Sequence, residues 1–357
     1  MLTAAVVYTA AFAIAVGIAA SSTPLVVRLA RRLGVLHGPE DRHMHTVPTP
    51  RIGGIAVYLG FAVALFAVLG LALSSPYSLD PSAQHAGLAH RYNVLSDQFE
   101  AVHQLVGLLF GSLLILGVGI WDDLMEMRAR NKLIAQILVA LVSMLYGFII
   151  PGMTNPFDHN ARTNWIDFPF WLGVPLTLLW YVGMMNAINF IDGLDGLLSG
   201  FTAISSLFMF WIFFLHGNAV VAIVVLALGG AAIGFLPYNF NPARIFLGDA
   251  GSLFIGYVFA TVSIIGTSKT AIAISLVVPL VVLALPVLDT AAVILRRSIS
   301  GKAITEADRG HFHHQLVLRF GLSVRQAVLL IYALCVILGT VALYVSGGLT
   351  HIFHHAN

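Results

Sequence analysis

Asn186-Ala-Ile-Asn189-Phe-Ile-Asp192-Gly-Leu-Asp195-Gly196-Leu197 sets two carboxylates and two carboxamides between two long apolar runs. Polar and ionisable groups persist beside membrane segments where a function uses them. The flanking runs, 170–188 and 197–216, are each long enough to cross a bilayer, which takes about 20 apolar residues. The stretch therefore reads as a polar turn at a membrane surface, with Gly193 and Gly196 allowing a tight backbone so that Asn189, Asp192 and Asp195 converge on a ligand. An all-α, polytopic transmembrane bundle follows from it.

The rest of the chain agrees. Of 357 residues, 59% are hydrophobic and only 10% charged, and the mean hydropathy of +0.91 lies far above that of a soluble domain. The same length criterion yields ten spans, at 3–27, 53–74, 104–121, 132–150, 170–188, 197–216, 218–236, 250–268, 271–295 and 325–346. The first lacks a small-residue cleavage site and reads as a retained helix. With neither repeat nor soluble insert, 1–357 is expected to form one integral-membrane domain. The single cysteine, Cys335, excludes an intrachain disulfide and argues against a thiolate metal site.

Ten spans put alternate loops on opposite sides. Fifteen of the eighteen Lys and Arg then fall on one side, leaving only Arg91, Arg162 and Lys269 on the other. By the positive-inside rule the rich side is cytoplasmic. Asp122, Asp123, Asp192, Asp195, Asp249 and Asp308 share it, which makes one face the working face. No nucleic-acid partner is expected.

Four further segments carry polar chemistry on that face. The loop His37-Gly-Pro-Glu-Asp-Arg42-His43-Met-His45-Thr-Val-Pro48-Thr-Pro50-Arg51-Ile-Gly53-Gly54 is too proline-rich for a helix. It offers Arg42, His43, His45 and Arg51 to phosphate groups or to lipid headgroups. The third span ends in Trp121-Asp122-Asp123, followed by Lys132 at the start of the fourth. Paired carboxylates there repel each other and oppose the helix macrodipole, so a cation or phosphate-bound metal is expected beside them. The segment Pro242-Ala-Arg-Ile-Phe246-Leu-Gly248-Asp249-Ala-Gly251-Ser252 presents Asp249 between glycines that let an anion approach, although Asp is also a good helix N-cap. The last is Asp308-Arg-Gly-His311-Phe-His313-His314, read as a phosphate contact rather than a transition-metal site because no thiolate accompanies it. Asp289, inside the ninth span, sits seven residues before Arg296, to pair with it or to reach the site. The outer loop 75–103, despite His85, His90 and His103, reads as a surface elaboration.

Taken together, these five segments resemble the polyprenyl-phosphate N-acetylhexosamine-1-phosphate transferases, in the family's order and on its cytoplasmic side. The His-x-His-His form, followed by Gln-Leu-Val-Leu and Gly-Leu-Ser, resembles the WecA/TagO-type branch. The MraY branch, which uses the muramoyl-pentapeptide nucleotide, has three consecutive histidines. His37, His43 and Ala250 depart from the usual pattern, where Asp, Lys and Thr are common.

The resemblance implies transfer of N-acetylglucosamine 1-phosphate from UDP-N-acetylglucosamine to undecaprenyl phosphate at a bacterial plasma membrane, with magnesium, or manganese in its place, held by Asp249 and Asn189. Asp122, Asp123, Asp192, Lys132, His311, His313 and His314 would form the catalytic set. Asp195, toward the uracil, with Asn186, His45, Arg42 and Phe246 would bind substrate. Self-association as a homodimer is left open. Two other classes fit less well. A secondary transporter would place its carboxylates at mid-membrane in repeated halves, and a structural lipid-binding protein would not require paired aspartates beside a Gly-Asp-x-Gly turn.

Overall fold

The computed structural model describes residues 2–37, 48–74, 88–154, 165–268, 281–299 and 311–346. Among them are eleven helices: α1 (Leu2–Leu33), α2 (Gly54–Ser74), α3 (Leu88–Met125), α4 (Ala129–Leu145), α5 (Phe170–Ile191), α6 (Leu197–Leu215), α7 (Ala219–Asn239), α8 (Gly248–Ser268), α9 (Ala284–Ile299), α10 (Phe312–Leu318) and α11 (Val324–Val345). Two short antiparallel pairs complete the described structure, β1 (Leu36–His37) with β2 (Thr49–Pro50) and β3 (Gly152–Thr154) with β4 (Trp165–Asp167). This is the polytopic helical membrane protein expected. Among the described residues, eight helices are long and apolar enough to cross a bilayer. At the fourth expected span stands α4, shorter at 17 residues. Of the ninth span, 271–280 lies outside the described residues, and the described part runs from 281 into α9.

The helices hold together through small residues, because lipid offers apolar side chains no reason to leave it and close backbone approach must supply the attraction. Ala11, Ala15 and Ala19 form a wholly buried stripe on α1. Gly60 of α2 and Gly234 of α7 close onto that stripe, and a side chain on either would run into α1 backbone. The α8 helix is the most enclosed span, packed by α3 and α5. Hydroxyls tie these elements in register. Ser143 of α4 meets the Tyr257 hydroxyl of α8 at 2.9 Å, and Tyr181 of α5 meets Thr261 of α8 at 2.9 Å.

Residues 88–103, within the expected surface loop 75–103, are instead helical and prolong α3. Past Gly87 nothing breaks a helix until the apolar part begins, so the polar turns continue it. Helix direction alternates through the bundle. The ends of α3, α5, α7 and α9 and the starts of α4, α6, α8, α10 and α11 therefore gather at one end, the end that carries the described residues of the motif segments.

Candidate active site

The two adjacent aspartates at the end of α3 have different surroundings. Asp123 accepts the backbone N–H groups of Asp249 and Ala250, each at 3.0 Å, and the Nε–H of Arg51 at 3.1 Å. Its side chain is 1% exposed. It thereby caps α8 from another helix, satisfying N–H groups that the first turn of any helix leaves without partners. The sequence allowed Asp249 to be that cap; the capping carboxylate belongs to Asp123. Gly248, with φ of +70°, makes the approach possible, since a Cβ there would fall 1.8 Å from the Arg51 carbonyl oxygen and 2.6 Å from the Asp123 carboxylate.

Asp122 turns the other way. One oxygen accepts the Met127 N–H at 2.8 Å and closes the turn into α4. The other lies 2.8 Å from Lys132 Nζ, which also reaches Asp249 Oδ1 at 3.0 Å. The lysine is enclosed, with 16% of its side chain exposed. It offsets the repulsion between the two carboxylates, and they in turn offset the unfavourable placement of a cation at a helix start. Asn189 donates to Asp249 and, at 2.8 Å, to the Ser252 hydroxyl. Asp249 is the most open of the three acids, 20% exposed at its side chain, so an incoming ligand meets it first.

Asp192 ends α5 where the helix gives way to the glycine turn. Burial, reinforced by Asp249, Asp123 and Asp195, pushes its carboxyl up to about 8. Asp195 gives one oxygen to the Asn241 amide at 2.9 Å and the Ala243 N–H at 3.0 Å, fastening the link between α7 and α8. From α11, Tyr332 donates to the Gly196 carbonyl at 2.5 Å and Arg325 to the Asn241 carbonyl at 3.0 Å. The last long helix thus braces the turn from behind.

The histidines lie across this turn. His313 is 1% exposed, with neither ring nitrogen hydrogen-bonded among the described residues. A Cβ on Gly193 would stand 2.1 Å from its Nε2. Burial, with His314 and His311 beside it, pulls its pKa down to about 3, so the ring is neutral at physiological pH and offers a hydrogen rather than a charge. His311 stacks on His313 with ring centroids 5.7 Å apart, and His314 touches His313 at 4.2 Å.

Asn186 lies deeper, its amide donating to Gln136 of α4 at 2.8 Å and to the Val182 carbonyl. Phe246 is half-buried, and its backbone joins Pro50 and Gly53. Arg42, His43 and His45, with Asp308, lie outside the described residues. Among described residues no group of three His, Cys, Asp or Glu has metal-holding geometry. The donors suit magnesium nonetheless, because that ion takes hard oxygens and is commonly bound by one or two carboxylates with substrate phosphates and water completing its shell. Asp249 and Asp122 provide such oxygens. Asn189 would add its own only with the amide turned over, since its nitrogen faces Asp249.

The profile of glycosyl transferase family 4 matches residues 105–267, from within α3 to within α8. A Bacillus subtilis protein described as a probable undecaprenyl-phosphate N-acetylglucosaminyl 1-phosphate transferase is 33% identical over 315 residues, covering 87% of this chain and 77% of the relative. The chain belongs to glycosyl transferase family 4. Other relatives share it: a Mycobacterium tuberculosis decaprenyl-phosphate N-acetylglucosaminephosphotransferase, 32% identical over 87% of this chain and 76% of its own, and a Desulforudis audaxviator phospho-N-acetylmuramoyl-pentapeptide-transferase, 29% identical over 90% and 92%. The family 4 match takes in Asp122, Asp123, Lys132, Asn189, Asp192, Asp195 and Asp249, and ends before the histidines. Gln136 and Ser252 were missed by the sequence reading. A carboxamide one turn after Lys132 on the same helix face was the available signal for the first.

Proposed function

We propose that this family 4 protein transfers N-acetylglucosamine 1-phosphate from UDP-N-acetylglucosamine to a polyprenyl phosphate such as undecaprenyl phosphate, releasing UMP, in a bacterial plasma membrane. The observation that carries the reading is the cluster of Asp122, Asp249 and Lys132, with Asp249 its most open member, at the helix ends where a lipid phosphate and a soluble nucleotide can meet. The names of the Bacillus and Mycobacterium relatives support both donor and acceptor class. The Lys and Arg gathered at that end support its being cytoplasmic.

An oxygen of the lipid phosphate forms a bond to the sugar-linked phosphorus, while the bond from that phosphorus to the bridging oxygen breaks and UMP leaves. A phosphate monoester with second pKa near 6 is mostly dianionic at neutral pH, so attack needs no strong base. Asp123 spends both oxygens on α8 and Arg51, and Asp122 spends its own on Met127 and Lys132. This favours direct attack over an aspartyl-phosphate intermediate. Magnesium, held by Asp249 with Asn189 or Asp122, would neutralise diphosphate charge. Lys132 supplies a fixed positive charge beside the same oxygens, and neutral His313 supplies a hydrogen donor facing the turn.

The test is label transfer with purified protein, undecaprenyl phosphate and each nucleotide sugar in turn. Labelled lipid with stoichiometric UMP is expected from UDP-N-acetylglucosamine, and divalent-cation chelation should abolish it. Product from the muramoyl-pentapeptide nucleotide alone would move the protein to the branch of the Desulforudis relative. No product from any donor would overturn the reading.

A further inference from the structure

We propose that Asp289 is a positioning residue for the histidine loop, acting through His311; the inference rests on the transfer reaction above. Asp289 lies on α9, which packs against α5 beside the glycine turn. One carboxylate oxygen lies 2.9 Å from His311 Nδ1. The other accepts the Phe312 backbone N–H at 2.9 Å, at the first residue of α10. Two bonds to consecutive residues fix both the position and the rotation of the segment relative to α9, which one bond would not do.

The consequence passes along stacked rings. His311 is wedged between Phe190 of α5, 5.4 Å away, and His313, 5.7 Å away and nearly parallel. His313 in turn lies over Gly193. With Nδ1 directed at Asp289, Nε2 is the ring nitrogen of His311 left for a ligand, as when a carboxylate behind a ligating histidine selects its tautomer and aims the ring. Both Asp289 oxygens are directed at the histidine segment, so the geometry assigns it to anchoring that segment. A largely enclosed carboxylate whose two partners are both on the histidine segment serves to hold that segment.

A double-mutant cycle on the full chain in detergent tests this, with Asp289→Asn, His311→Gln and the pair. Asp289→Asn keeps an acceptor for Phe312 but presents an amide to His311, reversing the tautomer. In the His311 wild-type background kcat is expected to fall ~10- to 100-fold, the range seen when such orienting partners are removed, with KM for the nucleotide sugar changed far less. In the His311→Gln background the same substitution should cost less than about threefold, because partners acting as a unit are not additive. Asp289→Glu, which keeps both acceptor oxygens one methylene farther out, should recover part of kcat. Additive losses, or a loss fully accounted for by a lower melting temperature, would overturn the proposal. If Asp289→Asn does not fold, Asp289→Glu carries the same cycle. If the wild-type protein transfers from no donor, the transfer reading fails by itself. The cycle read as melting temperature then decides whether Asp289 and His311 are coupled, and additivity there sinks the positioning role.

Discussion

Asp122 and Asp123 are neighbours in one motif, yet a hundred degrees of helix separates their side chains, and this divides their work. Asp123→Asn should cost about 1–2 kcal/mol of stability, since it weakens a cap and an ion pair together. Asp122→Asn should leave thermal stability nearly intact while turnover falls more than tenfold. Denaturation curves beside kinetics separate the two, and equal stability losses would contradict the division. Asp249→Asn leaves the cap with Asp123 untouched. Turnover should drop by orders of magnitude with the fold preserved, and added magnesium should restore little of it; near-normal turnover would place the metal on another carboxylate. Asp192 predicts a pH effect. The folded protein holds that proton up to about pH 8, whereas an unfolded chain releases it near 3.9. Its contribution to stability is therefore full below about pH 3.9 and lost as pH rises toward 8. Asp192→Asn, with nothing to titrate, should be more stable than wild type by on the order of 1 kcal/mol near pH 8, after allowance for partial exposure, and the gain should shrink toward pH 5. Melting curves against pH in chelator check this; a gain independent of pH would contradict it. The candidate acids were legible because carboxylates are scarce in so apolar a chain. Which of two adjacent ones faces α8 was not, because that depends on how α3 is rotated against its neighbours.

Elements were legible where hydropathy alone decides them, as in α2, α6 and α7, which match the expected spans closely. They were less so where polar turns prolong a helix beyond the apolar core, as at the start of α3. The pairing of α9 with the start of α10 was out of reach, since Asp289 and His311 stand 22 residues apart and either Arg296 or the site was open to Asp289 from spacing alone. The glycine turn against α10 predicts its own weakness. Gly193→Ala puts a methyl group into His313, so the histidine segment must shift. Activity should fall at least tenfold while the bundle, which does not depend on that contact, melts within a few degrees of wild type. Retention of full activity would show that the two elements do not meet in the working enzyme.

At the scale of the molecule, alternation of helix direction was readable from the loops, and from it the gathering of all motif segments at one end. The side that end faces is testable. With Cys335 replaced, cysteines at the exposed positions Glu126 and Arg319 should label with an impermeant thiol reagent only from the cytoplasm, and one at Ile166 only from outside; labelling of all three from one face would contradict the arrangement. The short α4 has a wider consequence. At 17 residues it spans about 26 Å, less than the ~30 Å of a typical hydrocarbon core. Lys132, on its first turn, is pinned to acids on two longer helices. A membrane too thick for α4 must thin around it or draw it along the bundle axis, at a cost of fractions of a kcal/mol per Å, and the lysine would be drawn with it. In vesicles of graded acyl length, turnover should peak at a thin bilayer and decline in thicker ones before any loss of fold, so that lipid composition sets the enzyme's pace through one helix a turn too short.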